Sequence, residues 1–172
     1  MKKFELTSET KINIFGKKLF RIKALISFAD VEAGETGGWV EKEGNVNQSG
    51  NAWVSGNAEV SGNAMVYGNA KVSGDAMVYG NAKVYGDAKV YGDAKVYGDA
   101  DYTTIHGFGA QFRTTTFFRC KDKKVRVACG CFFGTIPEFR EQVKKTRSGK
   151  IVEEYLMIAD LMEKHFEVKS NE

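Results

Sequence analysis

Two histidines, three cysteines and a basic run near the C-terminus are the residues of this chain whose chemistry goes beyond packing. A side chain that deprotonates an acceptor is most often histidine. His165 sits beside Phe166 in an apolar helical pattern, so His106 is the one weak catalytic candidate, and a local hydrogen bond is its plainer use. Cys120, Cys129 and Cys131 are odd in number and lack the spacing of a zinc site, so neither a closed disulfide framework nor a metal is expected. Lys71, Lys83, Lys89 and Lys95 alternate with Tyr79, Tyr85, Tyr91 and Tyr97, and Arg113, Arg119 and Arg126 lie among three further lysines. Lysine and arginine hydrogen bonding combined with tyrosine stacking suits a planar anion. These eleven are the candidate ligand-binding residues, although strand propensity and solubilising charge account for the same residue types.

What would position them is a repeat. From Gly50 the text runs GNAWVS, GNAEVS, GNAMVY, GNAKVS, GDAMVY, GNAKVY, GDAKVY, GDAKVY, GDA, a period of six. Valine recurs without exception from Val54 to Val96, and alanine from Ala52 to Ala100. Within a unit, Ala-x-Val-x alternates as a strand does, and Gly-Asn or Gly-Asp supplies a corner. Three hexapeptides make a triangular coil of eighteen residues whose successive turns stack as parallel strands ~4.8 Å apart. Stacking sorts the outward residues into three faces: Trp53, Lys71 and Lys89 on one, Glu59, Met77 and Lys95 on the second, and Met65, Lys83 and Asp101 on the third. Asp75, Asp87, Asp93 and Asp99 fall at corners where asparagine stands elsewhere, without the denser pattern of calcium-binding β-rolls.

The flanks read as caps, because open coil ends expose unpaired backbone. Residues 1–49 form an N-terminal β cap with a hairpin around Gly16-Lys17-Lys18 and an imperfect first coil. Val40 and Val46 keep the step of six, but Val46 to Val54 is eight, which predicts a bulge. Residues 50–104 are the hexapeptide β-helix, and residues 105–172 an α+β module of one hairpin and two helices. Its strands are Thr114 to Cys120 and Val125 to Phe133, the latter placing Val125, Val127, Cys129 and Cys131 on one buried face. Thr135 with Glu138 and Pro137 is a helix start, running to about Lys145, and a second helix spans Lys150 to Phe166.

The chain is 42% apolar and 27% charged, which fits a packed core and argues against wholesale disorder. No apolar run approaches the ~20 residues that cross a bilayer, and the N-terminal text lacks a signal-peptide pattern, so no membrane partner and a reducing cytoplasm are expected. The net charge of +3 is spread thinly, and a nucleic-acid partner is not expected.

The repeat resembles that of hexapeptide proteins, and the resemblance implies a mainly β chain built on a left-handed parallel β-helix, commonly a homotrimer. Many such proteins are acyltransferases, with His106 as the only base this chain offers. Others are carbonic anhydrases with three histidine ligands, which two histidines outside the coils do not provide. Leu19 to Leu25, Gly37 to Glu41 and Gly50 to Val54, with Cys129 to Thr135 and Glu154 to Leu161, are similar to hexapeptide-repeat proteins of bacteriophages and prophages. That setting implies a non-enzymatic protein without a cofactor, binding a host protein or a small nucleotide-like anion. A structural phage component is the remaining alternative.

Overall fold

A computed structural model describes residues 1–167, and the chain divides into two compact units at Asp99. The first unit opens with strands β1 (Phe4–Ile12), β2 (Lys18–Ala24) and β3 (Thr36–Val40), paired antiparallel in that order. Eight two-residue strands follow at a step of six: β4 (Trp53–Val54), β5 (Glu59–Val60), β6 (Met65–Val66), β7 (Lys71–Val72), β8 (Met77–Val78), β9 (Lys83–Val84), β10 (Lys89–Val90) and β11 (Lys95–Val96). They stack in parallel as three columns, β4-β7-β10, β5-β8-β11 and β6-β9, with partners eighteen residues apart. This is a β-solenoid of about three turns. The corner glycines from Gly50 to Gly92 all have φ between +64° and +71°, the left-handed conformation that a side chain resists.

The interior is as narrow as the repeat requires. Every stacking valine from Val40 to Val96, and every alanine from Ala52 to Ala94, is at most 1% exposed. The third face stops one level earlier than the spacing predicts. Position 102, where the next valine would stand, is Tyr102, too large for a prism lined by valine and alanine. Residues Asp99–Asp101 therefore form a short 3-10 turn, and Tyr102 and Thr103 pair antiparallel in the second unit instead of stacking under Val84 and Tyr85.

The first coil is closed by donors from scattered positions. Lys3 Nζ donates to the carbonyls of Ala52 (2.7 Å) and Gly50 (3.3 Å). Arg21 Nη1 donates to Gly56 O at 3.2 Å, and Asn45 Nδ2 to Ala64 O (2.8 Å) and Gly62 O (3.2 Å). Thus a side chain meets the outward carbonyls at each of the three corners, where an earlier coil would otherwise donate. The extra residues between Val46 and Val54 also have a use. They include Gln48, whose Oε1 accepts from Lys3 N and Phe4 N, and whose Nε2 donates to Phe4 O. Its amide acts as a detached peptide group that holds the start of β1. The step from β3 to β5 is accordingly twenty residues, against eighteen below.

The second unit is a four-stranded antiparallel sheet, β12 (Tyr102–Phe108), β13 (Arg113–Arg119), β14 (Val125–Cys129) and β15 (Phe132–Thr135), packed against α1 (Ile136–Thr146) and α2 (Lys150–His165). It has two more strands than the sequence predicts. Tyr102–Phe108 adds one, and Gly130, with φ +62°, splits the expected Val125 to Phe133 strand into two. Cys131 therefore leaves the valine face and is exposed. The capping box forms as expected: Thr135 and Glu138 bond reciprocally, with Pro137 in the first turn. Phe117, Phe139, Tyr155 and Ile158 lie at the centre of the core between sheet and helices. Among the described residues, no helix is long and apolar enough to cross a membrane.

Candidate functional site

The solenoid faces carry ladders. Tyr67 and Tyr85 stack with centroids 5.2 Å apart, and Phe15, Tyr79 and Tyr97 form a second column at 4.8 and 5.2 Å. Phe15 comes from the tip between β1 and β2, so the cap extends the tyrosine column upward. Lys95 Nζ sits 5.9 Å from the Tyr79 ring, and Lys71 pairs with Asp30, whose carboxyl is held below its ordinary range chiefly by that hydrogen bond. Lys71 and Lys89 share the first face, on which Tyr91 also lies, whereas Lys83 pairs in register with Met65 on the third. These residues stand on three sides of the prism and converge on no single point. At the corners, Asn51 donates to Asn69 and Asn69 to Asp87, while Asn57 donates to Asp75 and Asn63 to Asn81, at 3.0–3.2 Å. An asparagine both accepts and donates, but an aspartate only accepts. Asp75 and Asp87 thus each receive a bond from the asparagine one turn above, as acceptors only.

Convergence occurs in the second unit. A cleft of about 170 Å³ opens between the sheet and the helices. The β12–β13 connection and the start of β13 contribute Gln111 and Arg113, the end of β14 and the turn after it contribute Cys129 and Cys131, and α1 with the residue after it contributes Gln142 and Arg147. Tyr155 of α2 forms the floor, its hydroxyl donating to Phe108 O at 3.4 Å. Two glycines make room. A Cβ on Gly109 would strike the Tyr155 hydroxyl, and one on Gly130 would strike the Arg113 guanidinium; both have positive φ. The Gly107-Phe108-Gly109 text is thus a support for Tyr155 at the end of a strand, not a phosphate loop.

The electrostatics are one-sided. Arg113 and Arg147 are the cations of the lining, and no carboxylate among the described residues lines it. Burial first, and then the neighbouring Cys129, pushes the Tyr155 hydroxyl up to about 12, so it remains a proton donor at physiological pH. Thr115 Oγ1 donates to Cys129 Sγ at 3.2 Å.

Of the three arginines singled out in the sequence, Arg113 alone lines the cleft. Arg119 bonds Phe166 O at 2.7 Å and lies 3.7 Å from Asp101, and Arg126 pairs with Asp122 at 2.7 Å. His106 is exposed and its Nδ1 is 2.9 Å from Thr114 Oγ1, a local contact across the β12–β13 hairpin. Arg147, Tyr155 and Gln142 were not singled out, because they come from helices whose placement the local text does not reveal. The available signal was Cys129-Gly130-Cys131, a glycine between two short strands.

Comparison with known families finds the YdcK beta solenoid repeat, whose family model matches residues 58–73 and 70–86. The matched stretch lies wholly within the coils and reaches neither the N-terminal cap nor the C-terminal unit. No curated protein matches the chain. With the stacked register of its strands, that match makes the chain a β-solenoid repeat protein.

Proposed function

We propose that this chain is a non-enzymatic, self-associating binding protein, in which the solenoid is a rigid spine and the C-terminal unit holds a small anionic ligand. The observation that carries this reading is the convergence of Arg113 and Arg147 on a cleft without a lining carboxylate. Charge-assisted hydrogen bonds from guanidinium to phosphate or carboxylate are among the stronger polar contacts. A volume of about 170 Å³ accommodates one charged group of a nucleotide-like molecule, with the remainder outside. Self-association to a homotrimer is supported by exposed Ile12, Ile14 and Phe15, the last of which packs on the Tyr79 and Tyr97 column. The phage resemblance supports a host-directed role in the bacterial cytoplasm, sequestering a defence factor or nucleotide-like signal.

Native mass spectrometry of the chain from infected-cell lysate tests both parts. A trimer carrying an anion that is released unchanged, and that the Arg113→Gln, Arg147→Gln double variant lacks, supports the reading. An empty monomer refutes it. Acetyl-CoA turnover that disappears in His106→Ala would favour acyl transfer instead.

A further inference from the structure

Anion binding leaves the sulfurs of the cleft unused. Cys129 is half-buried in the wall, accepts a hydrogen bond from Thr115 and adjoins the Tyr155 hydroxyl. Cys131 lies two residues on, exposed, in the turn that follows β14. Reactive thiols occupy partly exposed, electropositive surroundings. Cys129 has both properties, with Arg113 and Arg147 in the same cleft, whereas Cys120 is buried.

We propose that the cleft takes a small disulfide bearing carboxylates and joins one half of it to Cys129. This rests on the anion reading of the same cleft. The Cys129 proton is lost to solvent and the thiolate attacks one sulfur of the ligand. The ligand S–S bond breaks, a bond from Cys129 Sγ to that sulfur forms, and the other half departs as a thiolate. The ligand disulfide is the oxidant, so the exchange needs no further co-reactant. The carboxylate of the retained half is held by Arg113 and Arg147, and the Thr115 and Tyr155 hydroxyls face the sulfur.

Matched probes test the assignment. Dithiodiglycolate carries two carboxylates, and cystamine carries two ammonium groups on arms of similar length. Adduct formation at each cysteine is followed by peptide mass mapping, with free cysteine correcting for intrinsic reactivity. The expected result is a corrected rate at Cys129 that favours dithiodiglycolate by roughly tenfold or more, the factor one charge-assisted hydrogen bond supplies. The preference should vanish in the Arg113→Gln, Arg147→Gln double variant. Equal rates, a preference for cystamine, or an unchanged preference in the double variant overturns the proposal. Cys129→Ser separates the two readings. If it still binds dithiodiglycolate reversibly and Arg-dependently by calorimetry while native Cys129 shows no preference, exchange fails and the anion cleft stands. If neither is seen, both fail.

Discussion

Lys3 offers the sharpest test of how the open end of the solenoid is closed. Its side chain is 2% exposed, its ammonium lies 4.9 Å from the Phe28 ring, and its hydrogen bonds go to carbonyls rather than to a carboxylate. Burial pulls its pKa from 10.5 to about 8. Below pH 8 both folded and unfolded chains hold the proton, and the full cost of burying the charge is present. Between pH 8 and 10.5 the unfolded chain holds a proton that the folded chain has released, so stability rises with pH across that window. The displacement corresponds to roughly 3 kcal/mol, at ~1.4 kcal/mol per tenfold change in proton affinity. That is an upper figure, because two carbonyls and an aromatic face favour the ammonium. Lys3→Met provides the reference, because it removes this titration while the other groups remain. Trp39 and Trp53, the two tryptophans of the chain, both lie in the first unit, so fluorescence-detected guanidinium unfolding reads that unit alone. From pH 7 to 10.5 the wild type should gain on Lys3→Met by up to about 3 kcal/mol. Wild-type stability, measured relative to Lys3→Met, that stays constant or falls between pH 7 and 10.5 would refute the buried-ammonium cap.

Val72→Ala removes two methylenes' worth of fully buried surface and should cost the first unit on the order of 1–2 kcal/mol in the same unfolding assay. Gly130→Ala forces a side chain into φ +62° and against Arg113; it should weaken anion binding, read by calorimetry, and destabilise the second unit by roughly 1–2 kcal/mol. Asn69→Asp sets a carboxylate above Asp87 with no proton to donate, so thermal stability should fall slightly at pH 7, by less than about 1 kcal/mol, and recover in acid as the new carboxyl is protonated. Ile14→Asp with Phe15→Asp should shift the assembly to monomer in sedimentation velocity while leaving the circular dichroism spectrum unchanged.

The prism was legible because its period is strict and each valine occupies an equivalent place. Its lower end was misread: the spacing of the outward residues carried the third face on to Asp101, although the change from valine to Tyr102 marks the stop one level earlier. The cap was legible only as an irregularity. The eight-residue step from Val46 to Val54 marked a disturbance, but nothing in the text joins Gln48 to Phe4, or Lys3 to Ala52, across more than forty residues. The cleft was hidden for the same reason. Arg113 stood out by charge, whereas its partners Arg147 and Tyr155 reach it through the packing of α1 and α2 on the sheet. The basic character of Arg119 and Arg126 pointed to binding, yet both have nearby acids or carbonyls to satisfy them.

The eighteen-residue register makes the length of the stack a quantised variable. Removing residues 55–72 would rejoin Val54 to Ser73 with every column of valine and every corner ladder still in phase, leaving a shorter spine with the same two ends. Removing six or twelve would rotate everything downstream by one or two corners and set tyrosines under foreign neighbours. Duplication and loss in whole turns is therefore the change such a gene tolerates, and a relative of different height should differ by multiples of eighteen.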